Sequence, residues 1–168
     1  MSGGGDPAAF AFASRWEVSA GRQAVWDALV DFNRWPVWWP ALEEVIETIH
    51  GDEEGIGQKA IAVWRGPVGY TLKMAIEAVE KVHPEFLRGV ATGDVVGEGT
   101  WTLATTADQW TSIEFDWNVR ANRKWMEFLA PLARPLFVSS HDHVMKEGGE
   151  GLAGHLSCEM RDFSASVG

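Results

Sequence analysis

Apolar and polar residues alternate along much of the chain, which is the period expected of half-buried β-strands. In the last such stretch Ile113, Phe115 and Trp117 share one face, while Glu114 and Asp116 share the other. We therefore predict that the apolar face points to the core and that the carboxylates lie on a solvated outer face. Seven stretches show strand character, at residues 10–18, 42–50, 58–65, 70–83, 86–93, 98–106 and 109–119.

Two short helices are predicted after the first strand. Ser19 is a candidate N-cap for a helix over about 20–31, whose apolar stripe includes Val25, Trp26 and Leu29. The segment 32–40 contains two prolines, which forbid a long helix and favour a short helical turn pinned by aromatic side chains.

A helical period begins at about residue 122 and predicts a long C-terminal helix, whose apolar stripe includes Phe137, Met145 and Leu152. Residues 1–8 are predicted as a glycine-rich flexible tail and residues 158–168 as a polar tail, which leaves one domain over 9–157. The order of elements predicts an α+β fold, with a curved antiparallel sheet of about 6–7 strands against the long helix. A concave sheet facing a helix leaves a natural space for a ligand.

Charge and composition narrow the function classes. The net charge of −10 disfavours binding to nucleic acids or anionic membranes. No segment predicts stable membrane insertion or a signal peptide, and the single cysteine, Cys158, fits a reducing compartment, so we expect a cytoplasmic protein. Ten tryptophans indicate either a tryptophan-rich core or a cavity lined by aromatic rings.

Several motifs, in this order along the chain, resemble the polyketide cyclase/dehydrase and lipid-transport branch of the START-like (SRPBCC) superfamily. The resemblance covers roughly residues 10–156. The matching motifs lie at residues 18–20, 25–26, 35–40, 93–101, 115–119 and 135–145, followed by Gly148 and Leu152. Ser140 stands where relatives usually have asparagine before the histidine. The resemblance implies a helix-grip fold with an internal cavity, in a superfamily that includes carriers, sensors and cyclases.

The expected cavity wall combines the inward faces of the strands with the stripe of the long helix. The residues predicted to bind a ligand are Tyr70, Leu72, Met74, Trp101, Phe115, Trp117, Phe137, Ser140, His141 and Met145. Serine at 140 and glycine at 148 thin the helix surface, which suits a hollow rather than a filled core.

Three polar residues are weak candidates for catalysis, and each has a structural alternative. His141 falls inside the apolar stripe, where it either forms a core hydrogen bond or orients a ligand carbonyl or hydroxyl. The Tyr70 hydroxyl reaches either the cavity or a structural partner. Arg88 is either a buried cation for an acidic ligand or an exposed side chain.

No metal site or cofactor is predicted. His141 and His143 are two residues apart, so on a helix their side chains point about 200° apart and cannot chelate one ion.

We predict first a carrier or sensor that binds an apolar ligand, such as a lipid, an aromatic molecule or a polyketide-like molecule. The first alternative is a cyclase, aromatase or dehydratase that uses the same cavity, and the second is a protein-interaction module. The predicted partner is thus a hydrophobic small molecule, and the protein is expected to be a monomer or a homodimer.

Overall fold

The fold is a single eight-stranded antiparallel sheet, with two short helices after the first strand and a long helix near the C-terminus. The computed structural model describes residues 6, 8–67, 69–122, 124, 127 and 133–168. The predicted tail over 1–8 is described only at Asp6 and Ala8, and most of the segment 122–132, where the long helix was expected to begin, lies outside the described residues. The predicted α+β helix-grip architecture is confirmed.

The elements follow the chain in nearly the predicted order. Helices with bounds in the described parts of the chain are α1 (Arg22–Val30), a 3-10 turn (Phe32–Arg34), α2 (Trp35–Trp38) and α3 (Ala133–His155). The strands are β1 (Ala9–Val18), β2 (Leu42–Ile49), β3 (Lys59–Arg65), β4 (Thr71–Val82), β5 (Phe86–Gly93), β6 (Val95–Thr105), β7 (Thr111–Ala121) and β8 (Met160–Val167).

The sheet has the strand order β2-β3-β4-β5-β6-β7-β1-β8, so that β1 returns to pair with β7. In β7 Ile113 is buried, whereas Glu114 and Asp116 are exposed. The predicted faces of this strand are therefore correct, because a shift of one residue would have exchanged them.

The start of α1 differs from the prediction. Gly21 occupies the N-cap position, and no side chain caps the helix. The Oγ atom of Ser19 instead accepts a hydrogen bond from the Glu159 backbone N–H at 2.9 Å. The predicted Ser19 cap is wrong because this hydroxyl joins the end of β1 to the segment before β8.

The eighth strand lies in the segment that was predicted as a polar tail. β8 pairs antiparallel with β1, and Arg161 anchors it by bonds to two carboxylates. Its Nε donates to Glu17 at 2.8 Å, and its other nitrogens donate to Asp108. The Arg161 guanidinium also lies 4.2 Å from the centre of the Trp110 ring. This segment becomes a strand through long-range pairing rather than through an apolar pattern of its own.

The C-terminal half of α3 packs closely against tryptophans. The position where a Cβ would stand on Gly148 lies against the Trp39 indole, and that on Gly149 lies against Trp16. The Trp39 Nε1–H donates to the Val144 carbonyl at 2.8 Å.

No described helix is long and apolar enough to cross a membrane.

Candidate ligand-binding cavity

A large apolar cavity lies between the sheet and the first half of α3. It encloses about 1100 Å³ of space without protein atoms, part of which is open to solvent. The space that the centres of water molecules could occupy is about 150 Å³, roughly ten times what one buried water needs. Strands β3 to β7 form its floor, α3 forms its roof, and aromatic residues of the 3-10 turn and α2 close one side.

All ten residues predicted to bind a ligand line this one cavity. They are Tyr70, Leu72, Met74, Trp101, Phe115, Trp117, Phe137, Ser140, His141 and Met145. Their common placement follows from the inward faces of β4, β6 and β7 and from the helical stripe of α3. That these residues bind a ligand is a proposal.

Other aromatic residues of the wall were not among the predicted site residues. Phe32, Trp35, Trp39 and Trp64 also line the cavity. Trp39 meets Trp64 edge to face, with ring centres 5.0 Å apart. The proline- and tryptophan-rich segment 35–40 was the signal that could have identified two of them, since a short turn pinned by aromatics must press its rings onto the sheet.

His141 is the most unusual polar residue of the cavity. Its side chain is 6% exposed, and its ring lies nearly parallel to the rings of Phe12 and Trp117, with centres 3.9 and 5.4 Å away. Neither ring nitrogen has a hydrogen-bond partner among the described residues. The predicted alternative of a core histidine bonded to backbone or indole is thus absent from the described contacts.

Burial lowers the pKa of the His141 imidazole from its usual value of 6.5, and nearby Asp142 opposes this shift. The Asp142 Oδ1 lies 3.8 Å from Nδ1, which is too far for a hydrogen bond. The imidazole is therefore neutral at pH 7, with one nitrogen as a donor and the other as an acceptor.

Tyr70 and Ser140 form a second polar feature of the cavity. Both residues line the cavity. The nearby Ser140 hydroxyl partly opposes the effect of burial, which raises the pKa of the Tyr70 phenol. Its hydroxyl stays protonated at neutral pH.

Arg88 is not part of the cavity wall. Its guanidinium donates to Glu80 at 3.1 Å and to Glu98 at 3.3 Å, on the solvent side of the sheet. The neighbouring Leu87 and Ala91 point inward instead. The weak catalytic candidacy of Arg88 is therefore wrong, because its strand places it on the opposite face.

His141 and His143 of α3 have opposite environments. The His143 side chain is 53% exposed and lies 3.3 Å from Glu147, whereas His141 is buried. They do not converge on one point. No group of three or more histidine, cysteine or carboxylate side chains within the described parts of the chain could hold a metal ion.

Gly148 does not border the hollow as predicted. The Trp39 indole occupies the space beside it. The thinning of the helix surface at this position serves close packing, because an aromatic ring fills the volume that a side chain would take.

Structural comparisons place the fold among START-like proteins. The START superfamily protein from Mycobacterium smegmatis aligns with a TM-score of 0.71 at 12% identity, over 88% of this chain and 97% of that one. The Zhui aromatase/cyclase from Streptomyces sp. R1128 aligns with a TM-score of 0.67 at 14% identity, over 88% and 94%.

The di-domain ARO/CYC protein BexL, from the BE-7585A biosynthetic pathway, aligns with a TM-score of 0.71 at 14% identity. The alignment covers 92% of this chain, which spans about half (52%) of BexL. No protein-family model and no curated protein matches the sequence. The chain therefore has the START-like helix-grip fold, as its motifs predicted.

Proposed function

We propose that this protein binds an apolar small molecule in the cavity beneath α3 and acts as a carrier or sensor. The observation that carries the proposal is the cavity itself, whose wall is almost wholly aliphatic and aromatic. Protein cores contain few voids larger than a water molecule, because an empty void destabilises the folded state. A void of this size therefore favours a role in ligand binding. The acidic surface and the single cysteine keep the cytoplasm as the expected compartment.

The chemistry of the wall supports a flat, apolar ligand. Trp101 and Phe115 stack with ring centres 4.2 Å apart, and Trp117 continues the aromatic surface toward His141. Burial of apolar surface contributes roughly 25 cal/mol per Å², so a ligand of modest size gains several kcal/mol before its ordering costs are counted.

The test is a fluorescence titration with N-phenyl-1-naphthylamine, an uncharged apolar probe, on the wild type and on Ser140→Leu. Ser140 is 1% exposed and lines the cavity, so leucine there should occupy the space that the probe needs. We expect the affinity for the probe to fall by at least about tenfold, or about 1.4 kcal/mol.

Ser139→Leu is the matched control, because Ser139 is the exposed neighbour on the same helix. It should bind the probe as the wild type does. Unchanged probe binding by Ser140→Leu, together with a strongly lowered unfolding temperature, would show a solid core and would remove the ligand-binding proposal.

Cyclase-type catalysis is the second candidate function. It is favoured by a neutral imidazole and a protonated phenol within one apolar cavity, in a fold shared with the Zhui aromatase/cyclase. Tyr70 would polarise a carbonyl of a flexible poly-ketone, the neutral imidazole of His141 would accept a proton, and confinement would bring the reacting carbons together. Incubation with a linear poly-ketone thioester tests this: a cyclic product that forms more slowly with Tyr70→Phe supports catalysis, and product formation at the uncatalysed rate excludes it.

A further inference from the structure

The cavity holds no unpaired charge among its described residues. Arg65 and Glu77 are the formally charged side chains in its wall besides the histidine. Arg65 bonds to Glu43 at 2.5 Å, and Glu77 lies 3.4 Å from Lys59. A ligand carboxylate or ammonium would therefore lose its water without gaining a free counter-charge, which is strongly unfavourable.

The position of His141 defines one polar contact for a ligand. Its ring plane packs along Phe12 and Trp117, so its nitrogens at the ring edge are the atoms that can bond. Both nitrogens are buried and have no described hydrogen-bond partner. A buried polar atom without a partner costs about 1–3 kcal/mol, which a ligand group could recover.

Asp142 favours the proton on the ring nitrogen that faces it. Its Oδ1 lies 3.8 Å from Nδ1, and the negative charge favours the N–H on that side of the ring. Nε2 is then left as a buried acceptor. An acceptor is satisfied by a hydroxyl group and not by a carbonyl or an ether.

We propose, building on the binding function above, that the ligand is an uncharged aromatic molecule whose hydroxyl group donates a hydrogen bond to Nε2 of His141. The aromatic wall takes the ring system, and the lack of a free counter-charge excludes acids. The imidazole selects a donor over an acceptor of the same size.

Four naphthalenes with the same ring system test the hydrogen-bond donor and the charge of the ligand separately. The affinity of each is measured by displacement of N-phenyl-1-naphthylamine. They are 2-naphthol (a donor), 2-methoxynaphthalene (an acceptor only), 2-methylnaphthalene (neither) and 2-naphthoate (charged). For the wild type we expect 2-naphthol to bind more tightly than 2-methoxynaphthalene, and 2-naphthoate to bind most weakly.

The variants assign the preference to His141. We expect His141→Phe to weaken binding of 2-naphthol about tenfold, while 2-methylnaphthalene changes by less than about threefold. His141→Gln, whose amide oxygen can accept the same hydrogen bond, should keep part of the preference. His143→Phe is the control, because that histidine is exposed on the same helix.

The outcomes distinguish the two proposals. If the probe itself does not bind, both the binding function and the hydroxyl contact fail. If 2-methylnaphthalene binds but 2-naphthol shows no dependence on His141, the contact alone is overturned. Tighter binding of 2-naphthoate than of 2-naphthol would likewise overturn the uncharged class.

Discussion

The two halves of α3 lie over the same sheet but meet it in different ways. The first half presents Phe137, Ser140 and His141 to an open space. The second half presents Gly148 and Gly151, and there the tryptophan-rich segment comes so close that no side chain would fit.

Small residues therefore do not by themselves create the hollow. On the second half of α3 they permit Trp39 and the Trp38 carbonyl to approach the helix backbone. The first half of α3 instead packs on β1 through Phe137, which stands edge to face on Phe10 and Phe12 with ring centres 4.7 and 5.6 Å apart. The space beside this contact is the cavity.

The largest effect is expected on stability, from adding a methyl group where the second half of α3 contacts the tryptophan-rich segment. Gly151→Ala places a methyl group against the Trp38 carbonyl oxygen, a backbone atom that cannot rotate away. We expect the free energy of unfolding in urea to fall by about 1–3 kcal/mol or more.

Gly154 provides the matched control, since nothing lies within 4 Å of its Cβ position. Gly154→Ala should leave stability unchanged or raise it by up to about 1 kcal/mol through helix propensity. Equal destabilisation by both substitutions would contradict the claim that the Trp38 carbonyl leaves no room for a side chain at position 151.

The next largest effect is expected on ligand affinity, from adding volume to the cavity beneath the first half of α3. Leu72 is 5% exposed and lines the cavity, and Lys73 beside it is exposed. Leu72→Trp should weaken binding of N-phenyl-1-naphthylamine by about tenfold or more, or about 1.4 kcal/mol. Lys73→Trp adds the same ring to the outer face and should leave probe binding unchanged; equal losses in both variants would place the probe elsewhere.

Local pattern was enough to predict most of the fold and the inward faces of the site. The alternation in β7 and the helical stripe around His141 each depend on neighbours within one element, and both were correct. β8 was missed because its strand depends on pairing with β1 and on the bonds of Arg161 to distant carboxylates. Whether Gly148 borders a void or a ring is likewise decided by tertiary packing, which the sequence pattern does not contain.

A smaller effect is expected from pH. His141 has a folded-state pKa below its unfolded value of 6.5, so the unfolded state takes up the proton first as pH falls. The stability that the neutral imidazole contributes is full above the unfolded pKa and is lost below it. Asp142, the charged neighbour that opposes the shift, limits the loss.

Between about pH 7.5 and about pH 5.5, the wild type should lose up to about 1.4 kcal/mol more than His141→Phe. Urea unfolding at both pH values measures the difference. Identical losses in the two proteins would mean that water or another group solvates the imidazole.

The smallest effect is expected on the outer face of the sheet. Glu114 and Asp116 are exposed and lie opposite the cavity side of β7. Changing both to their amides should leave probe affinity within about twofold, which is below 0.5 kcal/mol. A tenfold loss with the fold intact would show that this carboxylate pair takes part in the site.

The central claim is that the first half of α3 covers a real void, and xenon tests it most directly. Xenon occupies apolar cavities that water leaves empty. In crystals pressurised with xenon, we expect electron density for the gas between Met74, Trp117 and His141, and none beside Gly148. Side chains filling that space, with no xenon bound there, would contradict it.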